Sequence, residues 1–171
     1  MRVLERVRLG TALAVTATGA ILLSGCTTNV QGTAEANQTD LAAYTSEVAA
    51  ARAAKIERAN VAACDGLRAA NKSSVTSFNA YIEASNNRAP DTDAKANDAV
   101  TTLRNNASDL DREITEDVVV EVAEPLRTYR DNTNTLADTL DRRAPTDELN
   151  GVIDVFNAAK DAAIEICRSY E

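Results

Sequence analysis

The side chains that could do chemistry in this sequence are three cysteine thiols, four tyrosine hydroxyls and many carboxylates. There are 26 Asp and Glu against 18 Lys and Arg, and there is no histidine. Without imidazole, Ser–His and Cys–His nucleophile pairs cannot form, and zinc and copper lose their commonest nitrogen ligand. Only paired carboxylates stay open for acid–base work. We therefore expect a protein that is not an enzyme, with no catalytic residue, no metal and no cofactor.

The first cysteine follows a segment with the parts of a secretion signal. Three arginines lie within the first eight residues, residues 11–23 carry no charge, and Ser24 and Gly25 are small. The uncharged stretch would span about 20 Å as a helix, too short for a hydrocarbon core of roughly 30 Å. The pattern therefore favours a cleaved signal over a transmembrane helix.

The four residues Leu23-Ser24-Gly25-Cys26 resemble the lipobox of bacterial lipoproteins. In that family the thiol receives a diacylglyceryl group and the Cys becomes the new N-terminus, so the resemblance implies lipidation at Cys26. The alternative is an ordinary secretory signal with an incidental cysteine. Two or more acyl chains hold a protein stably at a bilayer. The resemblance thus implies a lipid anchor on the extracytoplasmic face of the cell membrane.

These features divide the chain into a signal peptide over 1–25, a lipidated flexible tether over 26–39 and a single helical domain over 40–171. Removing three Arg and one Glu with the signal leaves 18 − 3 = 15 basic and 26 − 1 = 25 acidic residues. Such a surface repels nucleic acid and anionic lipid headgroups, so we expect membrane contact through the acyl chains and no nucleic-acid partner. The Ala-rich, Lys-poor composition suggests a high-GC actinobacterium.

Four apolar stripes with spacings of three and four residues predict four helices. They cover roughly 60–88, 91–117, 120–143 and 146–170, and Val118-Val119-Val120 is interpreted as a connection rather than a strand. Short connections place consecutive helices antiparallel. The sequence therefore predicts an all-α fold, an antiparallel up-down four-helix bundle. Pro125 is expected in the first turn of the third helix, where its missing N–H is harmless.

Residues 40–58 are rich in alanine and predict a further helical segment, with Thr39 or Asp40 as its N-cap. Leu41, Tyr44 and Val48 are its only large apolar side chains before Ile56. Two interpretations stay open. The segment is either a stalk or an additional N-terminal helix lying loosely on the bundle.

Arg-Ala-Pro followed by acidic residues occurs twice, at 88–90 and 143–145. A proline disfavours helical geometry in the residue before it, so both copies should end a helix. The acidic residues after each proline, among them Asp91, Asp93 and Asp98, are expected to cap the helix that follows. Turn chemistry alone explains the repeat, and an internal duplication is the alternative.

Once Cys26 is assigned to lipid, Cys64 and Cys167 are left as a pair in an oxidising compartment. In an up-down bundle, the start of the first helix and the end of the fourth lie at the same end. Both cysteines also lie on apolar stripes. We therefore predict a structural Cys64–Cys167 disulfide. A redox-active pair is the alternative, but it lacks C-x-x-C spacing and a basic neighbourhood.

Two other groups of residues deserve a functional hypothesis. The dense acidic run is interpreted as a solvated helix face, because residues two apart on a helix diverge and cannot share a cation. The tyrosines are interpreted as core or rim residues, although tyrosine can bind haem iron. The acidic run is Asp109, Asp111, Glu113, Glu116 and Asp117, and the tyrosines are Tyr44, Tyr81, Tyr129 and Tyr170.

Three functions stay open. The leading hypothesis is a non-enzymatic interaction module of the cell envelope that binds an envelope protein or a cell-wall component. The second is a carrier of an apolar ligand, lipid or haem, in a cavity left by small core residues. The third is an envelope hydrolase that uses paired carboxylates. The small residues in question are Ala96, Ala107, Ala159 and Ala163. The sequence leaves the oligomeric state and the ligand-binding residues open.

Overall fold

The computed structural model describes residues 37–170. They form α1 (Gln38–Asn86), α2 (Thr92–Glu113), α3 (Val120–Asp141) and α4 (Thr146–Cys167), and a 3-10 turn at Arg168–Tyr170 follows. Short connections make each helix antiparallel to the next, and this part of the chain contains no strand. The predicted four-helix bundle is confirmed. The predicted signal peptide and the lipidation site at Cys26 lie outside the described residues and stay predictions.

The core is built from the stripes that the spacing indicates. On α2, the predicted stripe is buried from Ala96 through Leu110, and on α3 from Val122 through Leu140. Each large aliphatic side chain removed from water contributes about 1.5–3 kcal/mol relative to exposure. Among residues 37–170, no helix has the length and apolar character needed to cross a membrane.

Residues 38–55 form the first part of α1 and lie outside the bundle. All of them are exposed, and the segment extends about 27 Å at ~1.5 Å per residue. The structure thus decides between the two interpretations in favour of a stalk, which is continuous with the first bundle helix. We call residues 38–55 the stalk. Its N-cap is Asn37, whose Oδ1 accepts the Thr39 N–H at 3.0 Å, so the expected cap at Thr39 or Asp40 is wrong.

One end of the bundle is closed by a disulfide and a buried amide. Cys64 and Cys167 are bonded, with Cα atoms 5.5 Å apart, which confirms the predicted pair. Nearby, the buried Asn60 Oδ1 accepts the Val119 N–H at 3.0 Å, and its Nδ2 donates to the Tyr170 hydroxyl at 3.4 Å. Asn60 therefore joins α1 to the α2–α3 connection and to the C-terminal turn.

Some helix starts differ from the sequence interpretation. Because α3 begins at Val120, Pro125 lies in its second turn, where the missing N–H does remove a helical hydrogen bond. Asp91 and Pro145 occupy the N-cap positions of α2 and α4, but neither position has a side-chain capping bond. Acidic residues in the first turns still complement the helix dipoles.

Both Arg-Ala-Pro segments end their helices in the same way. Arg88 and Arg143 take φ values of 51° and 53°, the left-handed conformation that usually belongs to glycine. Ala89 N–H donates to Ala84 O at 2.9 Å, and Ala144 N–H donates to Thr139 O at 3.2 Å. Each pair is the six-residue bond of a Schellman motif. The repeated tripeptide is thus a repeated helix stop.

The two arginines differ in what their side chains do. The Arg143 guanidinium donates to Leu140 O at 2.8 Å and to Asn97 Oδ1 at 2.7 Å, which ties the second turn to α2. Within residues 37–170, the Arg88 side chain makes no hydrogen bond or ion pair and is exposed. Both residues bear the backbone strain, but only Arg143 offsets it with side-chain bonds.

We predict that Arg88→Gly stabilises the protein and Arg143→Gly does not. Left-handed geometry costs a non-glycine residue about 1–2 kcal/mol, and glycine removes that cost. Glycine also gives the unfolded chain more conformational freedom, which offsets about 0.5–1 kcal/mol of the stabilisation. Arg88→Gly should therefore raise the free energy of unfolding by ~0.5–1 kcal/mol. Arg143→Gly should leave it unchanged or lower it. Urea denaturation measures both, and equal effects of the two substitutions would contradict the prediction.

Candidate functional site

The least closely packed seam of the bundle lies between α1 and α4. These helices touch far less than the consecutive pairs do, although the disulfide joins them at one end. Farther along, they leave an opening of about 330 Å³, which we call the cleft. Its walls carry Phe78 and Ile82 on one side and Ile153 and Phe156 on the other. Its floor is formed by Leu103 of α2 and Leu136 of α3.

The mouth of the cleft is polar. Asn79 of α1 and Asn150, Asn157 and Lys160 of α4 lie around it. Lys160 Nζ lies 3.3 Å from Asn157 Oδ1 and 3.4 Å from an Asp161 carboxylate oxygen, so its ammonium is held beside the opening. Apolar walls with a few polar groups at the entrance are typical of small-molecule sites, and the volume is at the low end of their range.

A buried hydroxyl lies next to the cleft. Tyr129 is 1% exposed, and its ring packs against Phe156 with centroids 5.5 Å apart. Its Oη has no hydrogen-bond partner in the described part of the chain. Burial raises the pKa of Tyr129, and weak polar contacts with the Ser74 and Thr133 hydroxyls, neither of which reaches hydrogen-bond geometry, lower it in part. Ser74 and Phe156 both line the cleft, so this phenol lies directly behind its wall.

Three carboxylates of the acidic run form ion pairs with separate basic residues. Asp109 pairs with Arg112, Asp111 pairs with Arg130, and Asp117 lies 2.8 Å from Lys55 Nζ. Nowhere in residues 37–170 do three Cys, Asp or Glu side chains converge as metal ligands would. These carboxylates point toward separate partners around the helix surface.

The remaining tyrosines singled out from the sequence do not line the cleft. Tyr44 is exposed on the stalk, Tyr81 packs against Phe78 at 5.8 Å, and Tyr170 lies beside Asn60. None of the four tyrosines lines the cleft, so its walls hold no phenolate ligand for haem iron.

The small core residues do not produce the opening. Ala96, Ala107, Ala159 and Ala163 are buried, but none of them lines the cleft. They are part of the packed core instead. The opening comes from the separation of α1 and α4 between large side chains, a property that no single residue type signals.

A larger groove of about 570 Å³ lies between α1 and α2. It is bordered by short side chains and by Lys72, Lys95 and Asp98, and it opens widely to solvent. A ligand there would stay mostly hydrated. The cleft, which reaches the core, is therefore the better candidate for a binding site.

Comparison with protein families gave one match. The model of the Rv2240c four-helix bundle domain matches residues 31–168, which is most of the chain and all four helices. The family carries a mycobacterial name, which supports the actinobacterial origin suggested by composition. No curated protein and no solved structure matched the chain.

We predict that Tyr129→Phe stabilises the protein. A buried hydroxyl without a partner costs about 1–3 kcal/mol in desolvation, and Phe keeps the ring contact with Phe156. The free energy of unfolding at neutral pH should rise by ~1 kcal/mol. Tyr81→Phe is the matched control, because Tyr81 is only partly buried, and it should change stability little. A loss of stability in Tyr129→Phe would show that the hydroxyl is bonded.

The same substitution should alter the pH dependence of stability. The unfolded chain loses the phenol proton near pH 10, whereas burial keeps it on the folded protein to higher pH. The unfolded state then binds fewer protons, so this contribution to stability falls as pH rises above about 10. Urea denaturation between pH 8 and pH 11 should show a shallower decline in Tyr129→Phe than in the parent.

Proposed function

The chain belongs to the Rv2240c four-helix bundle domain family, and we propose that it is a non-enzymatic binding module of the cell envelope, anchored to the membrane through lipid on Cys26. The stalk is the observation that carries this proposal. A helix that continues about 27 Å beyond its bundle costs surface exposure without adding to the core. We infer that the stalk serves to position the bundle, because it holds the bundle at a distance from the predicted tether.

The surface of the bundle suits contact with protein or with basic cell-wall components. The chain has an excess of eight acidic over basic residues, and only 4% of its residues are aromatic. Few stacking side chains are therefore available for sugars or bases. Acidic groups already paired with arginine, such as Asp138 and Asp141 with Arg104, lie on the surface and can exchange partners.

The anchor is tested by replacing its attachment site. Cys26→Ala should move the protein from the membrane fraction to the culture medium, because no acyl chain then holds it. Ser24→Ala is the matched control, because alanine keeps the small residue that signal cleavage requires. Continued membrane retention of Cys26→Ala would contradict the anchor.

The binding role is tested in intact cells. A bifunctional amine-reactive crosslinker should join the anchored protein to one reproducible envelope partner, identified by mass spectrometry. Crosslinks to that partner should decrease for Cys26→Ala, whose copies leave the membrane. Repeated recovery of the protein alone would contradict the interaction role.

The cleft favours a second candidate function, the carrier of an apolar ligand. Its walls expose Ile82, Ile153 and two phenylalanines, and Lys160 stands at its mouth. We propose that such a ligand is lipid-like, with an apolar chain against these walls and a polar or anionic end near Lys160. The absence of tyrosine from the lining makes haem the weaker alternative.

Filling the cleft separates this candidate from the first. N-phenyl-1-naphthylamine, an apolar dye that fluoresces when shielded from water, should bind the parent protein. Ile153→Trp should abolish the signal by occupying the cleft. Val155→Trp, on the exposed face of α4, is the matched control and should leave it intact. Equal binding by both variants, or none by the parent, would contradict the carrier function.

A further inference from the structure

The stalk carries an apolar stripe that the bundle does not cover. Leu41, Tyr44 and Val48 are 51%, 65% and 49% exposed, and Ala51 continues the line. Their spacings of three, four and three are those of the a and d positions of a heptad. We call these four residues the stalk stripe. A contiguous exposed apolar line on a soluble surface indicates a contact with another surface.

The stripe ends where the bundle begins. The next two heptad positions are Lys55 and Arg58, and Lys55 Nζ lies 2.8 Å from Asp117. That ion pair belongs to the chain's own α2–α3 connection. The stalk stripe is thus a separate surface and does not extend the core.

Charged residues on both sides of the stripe indicate its partner. If Leu41 is an a position, Glu47 is a g position and Arg52 is the following e position. In a parallel, in-register pair of helices, g of one chain lies beside the following e of the other. Glu47 of each copy would then meet Arg52 of the other. Within residues 37–170, neither side chain has an ion-pair partner, so both are available.

An antiparallel pair would place g beside g and e beside e. Glu47 would then face Glu47, and Arg52 would face Arg52, and like charges at these positions are destabilising. The charge pattern therefore selects the parallel orientation. In that orientation the N-termini of both stalks lie at one end of the paired helices, and both bundles lie at the other end.

We propose that the stalk stripe is a self-association surface, through which two copies of this chain form a short parallel coiled coil over residues 41–51. A helix this short is marginal when isolated. Here it continues a helix already fixed by the bundle, so pairing does not have to order it. Anchorage of both copies to one membrane would raise their effective concentration, a gain that rests on the proposed lipid anchor.

A cysteine placed on the stripe tests the pairing in the full-length protein. Ala51→Cys puts a thiol at a d position, where the thiols of two parallel copies lie close enough to bond. Ala49→Cys is the matched control, because it is also an exposed alanine and lies about 200° away around the helix. After mild oxidation of intact cells, Ala51→Cys should give several-fold more covalent dimer than Ala49→Cys. Equal yields, or none from either, would overturn the proposal.

Charge reversal tests the register. In the Ala51→Cys background, Glu47→Arg or Arg52→Glu alone should lower the dimer yield, and the two together should restore it. Restoration cannot come from a general loss of helix, so it distinguishes pairing from damage to the stalk. A double variant that stays as low as the single ones would overturn the parallel register.

The same samples separate this proposal from the lipid anchor. Membrane retention without dimer overturns the pairing alone and assigns the stripe to another surface, such as lipid. Covalent dimer in protein released to the medium supports the pairing and counts against the anchor. Dimer in the membrane fraction supports both.

Discussion

The disulfide between α1 and α4 is the constraint on which the rest of the structure depends. It joins the two helices that are farthest apart in sequence, across a separation of 103 residues, and these two pack least among the neighbouring helices of the bundle. Closing a loop of about 100 residues contributes up to ~4.7 kcal/mol by restricting the unfolded chain. With α1 and α4 held covalently at one end, their separation farther along does not disturb the topology. The cleft lies in that separated region.

The two ends of the bundle are stabilised by different interactions. Around the disulfide, the buried Asn60 uses both ends of its amide to satisfy a helix-start N–H and the last tyrosine. At the opposite end, two Schellman turns stop α1 and α3 with arginine in a conformation that suits glycine. Arg143 offsets its backbone strain with a side-chain hydrogen bond to α2, whereas the Arg88 side chain is exposed to solvent. The second turn is therefore tied to α2 by side-chain hydrogen bonds, whereas the first is held by its backbone hydrogen bonds.

The stalk and the cleft place two kinds of contact on one chain. The stalk stripe lies at the N-terminal end of α1 and offers a short apolar line with complementary charges to another helix. The cleft lies within the bundle and offers enclosed apolar walls to a small ligand. The single helix α1 connects them, since it forms both the stalk and one wall of the cleft. Pairing through the stalk would leave both clefts free, because it uses a part of α1 outside the bundle.

The sequence was enough to predict the four helices and the buried stripes on α2 and α3, because these depend on the local spacing of apolar and turn residues. It was also enough to predict the Cys64–Cys167 pair, because an up-down topology brings the two cysteines to the same end of the bundle. The cleft required the tertiary structure. It lies where α1 and α4 separate, and the small alanines that suggested a cavity are buried in the core and do not line it. The stalk also required it, because alanine-rich helix looks the same whether it packs or projects. The unpaired Tyr129 hydroxyl and the bridging Asn60 were hidden for the same reason: the sequence places a polar atom on a helix face, but only packing decides what that atom meets.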